Sequence, residues 1–285
     1  MQLKLTHVTK NYKDFQLDCT MQLKEGCVTG LIGRNGAGKS TTFKAILGLI
    51  HIDGGQITVD DIPYEQLPAT WKESIGVVLA DAGFSSYLSI KDIIPILKSA
   101  YPSFHQDDFI KCCKKFKLPL NKQLKAFSTG MRAKLKVLIA MSHNAKLLIL
   151  DEPTAGLDVI ARDEILDLLR DFMESSATNS ILISSHISRD LEGLCDDIYF
   201  IDEGSILMHE EMDILLDTYG ILKVTKEQLD QIDVSSIICK KKESYGYRCL
   251  TNQKQFYLDN YPEITIEKSN VDDAITILLS DTTNH

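Results

Sequence analysis

Eight residues constrain this chain more than any others in it: Gly33, Arg34, Asn35, Gly36, Ala37, Gly38, Lys39 and Ser40. They follow the apolar run "CVTGLI" and lead into "KSTTFKAILGLI", where Phe43, Ile46, Leu47 and Ile50 recur at helical spacing. A chain passing from strand through glycine loop into helix leaves backbone N–H groups uncovered at the positive end of that helix. The glycines let the backbone close around phosphate oxygens, Lys39 neutralises them, and the Ser40 hydroxyl, with Thr41 next to it, reaches a Mg²⁺ ion. The spacing G-x-x-x-x-G-K-S in this context predicts a phosphate loop in an α/β fold.

The rest of the chain agrees with that fold class. "MQLKLTHV" and "FQLDCTMQL" alternate like antiparallel strands, "DGGQITVDD" is a turn plus a short strand, and "SIGVVLA" is a buried strand. From about residue 86 to 145 the character is helical: Ser89 with Asp92 forms a capping box before "IKDIIPILKSAY", "QDDFIKCCKKF" is amphipathic, and "TGMRAKLKVLIAM" is a third helix. "LLIL", "ILISS" and "DIYFI" then alternate with "VIARDEILDLLRDFM" and "SRDLEGLC", the pattern of a parallel sheet. Residues 1–216 read as the main domain, and 217–285 as a small α+β appendage. In the appendage Thr225 and Gln228 form a second capping box, "SSIICK", "YRCL" and "EITIE" are strands, and Asn270 opens a last helix. Lys240 to Lys242 read as a solvated strand end.

Composition excludes several classes. No apolar run approaches the roughly 18 residues of a membrane span, and the first residues lack the apolar core of a secretory signal, which predicts a cytoplasmic protein. Seven scattered cysteines without C-x-x-C spacing argue against a disulfide framework or structural zinc. A net charge of −9 disfavours a nucleic-acid partner.

"LLILDEP" ends a buried strand with Asp151 and Glu152. In a phosphate-loop protein the first belongs near Mg²⁺ and the second is placed to orient and deprotonate water. The glycine loop, "FSTGM" and "LLILDEPTAGLD", in this order, resemble the nucleotide-binding subunit of an ABC transporter over about the first 210 residues. The resemblance implies ATP and Mg²⁺ as ligands, and ATP hydrolysis with Lys39, Glu152 and His186 as the catalytic group, His186 being the switch histidine of "ISSHI". It also implies a head-to-tail dimer, with itself or a paralogous subunit, in which Ser128 and Gly130 contact the γ-phosphate held by the partner. Asp158 of "AGLD" would lie at that interface, where it also suits a helix N-cap, and Tyr12 would stack on adenine. The chain would sit on the inner face of the membrane through a separate permease subunit. A narrower likeness, to bacterial exporters of the bacitracin, lantibiotic and amphipathic-peptide group, rests on the helical segment and the short appendage.

Two departures stand out. Thr129 and Met131 replace a glycine and a glutamine of the family's L-S-G-G-Q signature. In "IGVVLADAGF" the position of a metal-touching glutamine holds Ala80, which leaves three readings: Asp81 takes over as a metal ligand, a water fills the gap, or neither matters. Two rival functions stay on the table: a nucleotide-binding regulator with little hydrolysis, and a soluble ABC protein of DNA or ribosomes. The absence of sustained heptads, the single cassette and the acidic charge disfavour the second.

Overall fold

The computed structural model describes residues 1–282. The chain lays down β1 (Leu3–Asn11), β2 (Gln16–Leu23), β3 (Val28–Ile32), α1 (Lys39–Ile46), β4 (Gly54–Val59), β5 (Ile62–Pro63) and β6 (Ile75–Val78). Three helices follow, α2 (Ile90–Ala100), α3 (Gln106–Lys115) and α4 (Thr129–Met141). Then come β7 (Leu147–Asp151), α5 (Val159–Ser175), β8 (Ser180–Ser184), α6 (Ser188–Glu192), β9 (Asp197–Asp202), β10 (Ser205–Glu211) and α7 (Met212–Asp217).

All ten strands make one sheet, ordered β5-β4-β1-β2-β10-β9-β3-β8-β7-β6. From β9 to β6 neighbours run parallel. Every residue of β3, β7, β8 and β9 is buried, as strands covered on both faces must be. β2 instead alternates buried and exposed residues, the mark of one face on the core and one in water. The antiparallel strands are not a separate sheet: β10 joins them to the parallel half where Ser205 pairs with Asp18.

Local chemistry places the helices. Asp92 accepts from the Ser89 N–H at 2.8 Å, closing the capping box that starts α2. α4 packs down on β6 at Gly76, where a Cβ would lie 2.1 Å from the Ala140 carbonyl oxygen. Among the described residues no helix is long and apolar enough to cross a membrane.

The remaining elements are β11 (Gly220–Val224), α8 (Lys226–Leu229), β12 (Ile237–Glu243), β13 (Gly246–Thr251), α9 (Lys254–Asn260), β14 (Thr265–Lys268) and α10 (Val271–Thr282). They build a four-stranded sheet ordered β12-β13-β11-β14, antiparallel throughout, in the βαββαβ succession of the split βαβ motif. Ile221, Cys239 and Leu250, with α10, belong to the core cluster of the large sheet, while Leu222, Cys249 and Tyr257 close a smaller core. Lys240 to Lys242 lie in the second half of β12, Lys240 and Lys242 exposed. β12 is an edge strand, and lysines there discourage pairing with a foreign chain. Of the appendage expected over 217–285, residues 283–285 fall outside the described ones.

Candidate nucleotide-binding site

Three adjacent parallel strands decide where the chemistry gathers. β3 delivers the glycine loop, β7 ends at Asp151 and β8 ends at Ser184, which pairs with Leu31 on one side and Asp151 on the other. The carboxyl ends of such strands are where open α/β sheets hold ligands. Within the loop, Gly38 adopts a φ of +116° as the N-cap of α1, a conformation closed to L side chains. A Cβ on Gly33 would lie 2.2 Å from the Ile201 carbonyl oxygen, so the loop rests directly on β9.

Lys39 is buried and folds back into this loop. Its ammonium donates to the carbonyl oxygens of Gly33 at 2.8 Å and Arg34 at 3.3 Å, and stands 3.6 Å from Glu152 Oε1. Ser40 Oγ donates to Asp151 Oδ2 at 2.7 Å, and Ser184 Oγ donates to Asp151 Oδ1 at 2.7 Å. Ser184 also accepts from the Glu152 N–H at 3.0 Å, so one hydroxyl orients both acids. Sequence reasoning missed Ser184, whose only signal is its place at the end of "ILISS".

Glu152 is the strained residue of the site, with a φ of +52°. A left-handed residue other than glycine costs on the order of 1–3 kcal/mol and persists where its surroundings over-determine it. Glu152 Oε2 accepts from the His186 N–H at 3.2 Å and lies 2.5 Å from His186 Nδ1. Glu152 Oε1 is buried without a hydrogen-bond partner. One oxygen is fixed by the histidine, and the other is open toward Lys39.

A cleft of about 210 Å³ between these groups is lined by Phe15, Arg34, Asn35, Gly36, Gly38, Lys39, Ser40, Thr41, Ala80, Asp151 and Glu152. A hollow of about 560 Å³ adjoins it, reaching from Phe15 and Ala37 to Asp202 and Glu203. Phe15 lines both, while Tyr12 lines neither; Tyr12 is 48% exposed, its ring 6.2 Å from that of Phe15. Ala80, not Asp81, is on the cleft wall, and Asp81 is exposed.

Ser128 and Gly130 do not line this cleft. Ser128 is the N-cap of α4 and accepts from the Met131 N–H at 3.2 Å. A Cβ on Gly130 would lie 2.9 Å from Ala161 Cβ, and Ala161 N–H donates to Asp158 Oδ1 at 2.9 Å as Asp158 caps α5. The "FSTGM" segment therefore adjoins the start of α5 that Asp158 caps, and neither Ser128, Gly130 nor Asp158 lines the cleft at this chain's own glycine loop.

The donors fit a hard divalent cation. Ser40 and Asp151 offer adjacent oxygens, and Mg²⁺ is held through one or two carboxylates completed by phosphates and water rather than by a protein cage. No group of three or more His, Cys, Asp or Glu able to hold a metal occurs among the described residues.

The ABC transporter family pattern matches residues 17–155. The ABC transporter ATP-binding protein YtrB of Bacillus subtilis is 30% identical over 71% of this chain and 68% of its own length. The lantibiotic transport ATP-binding protein SrtF of Streptococcus pyogenes is 33% identical over 74% of this chain and 91% of its own. In shape, the chain resembles the dimeric structure of MJ0796, a bacterial ABC transporter cassette, with a TM-score of 0.65 at 21% identity, covering 74% and 98% of the two chains. The fold is that of an ABC-type ATPase, and the chain belongs to the ABC transporter family as one of its ATP-binding proteins.

Proposed function

We propose that this chain is the ATP-hydrolysing subunit of a bacterial exporter, acting as one half of a head-to-tail dimer beneath separate membrane-spanning subunits. The glycine loop and Lys39 hold the β and γ phosphates, and Ser40 and Asp151 supply the protein oxygens for Mg²⁺, which when bound offsets phosphate charge. Glu152 takes the proton of the attacking water, and His186 fixes its carboxylate in place. Phe15, with Tyr12 beside it, forms the aromatic wall on the nucleoside side. Ser128 and Gly130 cap the γ-phosphate held by the other subunit, and Asp158 meets that subunit across the interface. ATP binds the closed dimer better than ADP does, so hydrolysis reopens it.

The single observation behind the hydrolytic reading is Glu152, with one oxygen held by His186 and the other free of hydrogen bonds and paired only with the Lys39 charge at 3.6 Å. The name of the lantibiotic transport relative supports a peptide or antimicrobial cargo. Phosphate release by the purified chain with MgATP, read beside light scattering, tests both halves. Turnover together with an ATP-dependent dimer is expected. ATP binding without turnover would replace this reading with a regulatory subunit, the alternative that Ala80 favours. Co-purification with ribosomes instead of a membrane protein would remove transport.

A further inference from the structure

We propose that Asp190 is a positioning residue for the Glu152–His186 pair, acting through a hydrogen bond to Thr154; the proposal rests on the hydrolytic reading of that pair.

Asp190 is 1% exposed and Thr154 fully buried. Thr154 Oγ1 donates to Asp190 Oδ2 at 2.7 Å, and Arg162 Nε of α5 lies 3.7 Å from Asp190 Oδ1. Burying a carboxylate costs several kcal/mol unless it is paired, and such pairs are often replaceable by apolar groups without loss of stability. A dry carboxylate on a five-residue helix therefore calls for a task beyond stability.

Connectivity supplies the task. Thr154 follows Glu152 by two residues, across Pro153, and Asp190 follows His186 by four. The Glu152–His186 contact closes one end of this pair of segments and the Thr154–Asp190 bond closes the other. The result is a ring of chain fastened twice, with little slack: proline fixes one φ, and Ser185 Oγ accepts from the Ile187 N–H at 3.0 Å in the intervening turn. Glu152, held at a φ of +52°, needs such over-determination to stay aimed. Opening the Thr154–Asp190 end lets α6, and with it His186, drift from the carboxylate. A misplacement of about 1 Å in a catalytic group costs on the order of 10²-fold in rate.

Thr154→Val removes the hydroxyl and keeps the shape, and Thr154→Ser keeps the hydroxyl. The valine variant should lose at least tenfold in kcat with the KM for ATP within twofold of wild type, and the serine variant should retain wild-type kcat. In a His186→Ala background the valine change should add less than twofold, because the group it positions is gone. A structural residue acting elsewhere would give the full loss in both backgrounds, which overturns the proposal, as does a valine variant with wild-type kcat. Asp190→Asn serves the same comparison if the valine variant does not fold. ¹⁵N-histidine NMR of the nucleotide-free protein supplies a readout that needs no turnover. The His186 signal, assigned by its loss in His186→Ala, should move in Thr154→Val and not in Thr154→Ser. An unmoved signal sinks the proposal even if hydrolysis stands, and a moved signal with no turnover in wild type sinks the hydrolytic reading alone.

Discussion

Replacing Glu152 by glutamine removes one negative charge and almost no volume. As general base the carboxylate is worth roughly 10²–10⁴ in rate, about 3–5 kcal/mol of barrier. The glutamine amide has an oxygen for the His186 N–H now accepted at 3.2 Å, and the left-handed backbone costs it as much as it costs glutamate. Thermal stability should therefore change little. Lys39 loses an anion 3.6 Å away, a gross attraction on the order of 4 kcal/mol at an effective dielectric near 20. It keeps the carbonyls of Gly33 and Arg34, and an arriving triphosphate no longer meets a neighbouring carboxylate. ATP affinity should hold or rise while kcat falls at least 100-fold. Single-turnover phosphate release and a fluorescent-nucleotide titration measure the two separately. A kcat within threefold of wild type refutes the base assignment, and a tenfold loss of ATP affinity with kcat retained moves Glu152 from chemistry to binding.

Three further outcomes follow from other parts of the molecule. Gly130→Asp places a Cβ 2.9 Å from Ala161 Cβ and a charge where a partner's γ-phosphate is expected; it should leave ATP binding within threefold while abolishing ATP-driven dimerisation, and loss of both means that the segment serves its own glycine loop. His143 is buried with its ring stacked on Tyr101 at 3.9 Å, and burial holds its pKa below the usual 6.5. The unfolded chain thus takes up a proton as pH falls through about 6.5 while the folded chain does not, so stability is full above that pH and lost below it, at up to ~1.4 kcal/mol per pH unit; urea midpoints of His143→Phe should lose that part of the acid dependence, and curves parallel to wild type between pH 7 and 5.5 contradict it. Cys27 and Cys112 are partly exposed, burial raises both thiols above their ordinary range, and the other five cysteines are buried; a thiol reagent on the native protein at neutral pH should label no more than two groups, slowly, and a third fast-labelled thiol would show the core to be open.

The legible parts of this protein are those whose physics is contiguous. The glycine loop, its flanking strand and α1 could be read because phosphate binding needs them adjacent in the chain. The caps at Ser89, Thr225 and Asn270 depend on partners three residues away. Less legible was β10: its hairpin with β9 turns through Glu203 and Gly204, both at positive φ, and glutamate disguises a turn usually announced by asparagine or aspartate. The site was hidden where it is built across strands. Ser184 reaches Asp151 over 33 positions, Asp190 reaches Thr154 over 36, and Phe15 comes to the loop from a different strand turn. No periodicity encodes such pairs, because sheet order sets them.

The same distinction bears on Ala80. A glutamine at the end of β6 would act through its side chain, and alanine has no polar atom to offer. The backbone there is nevertheless engaged: Lys136 Nζ stands 3.4 Å from the carbonyl oxygens of both Leu79 and Ala80, long contacts but charged ones. Lys136 lies on α4, the helix that Ser128 caps, so this loop is tied to the signature helix through its main chain. α6 is tethered in a similar way, since Glu192 Oε1 accepts from the Val271 N–H at 2.8 Å where α10 begins. The loop at Ala80 and helix α6 are thus held by different elements, the first by α4 and the second by the start of α10. Any coupling of position 80 to the signature helix therefore runs through the main-chain carbonyls that Lys136 contacts, not through a side chain at position 80.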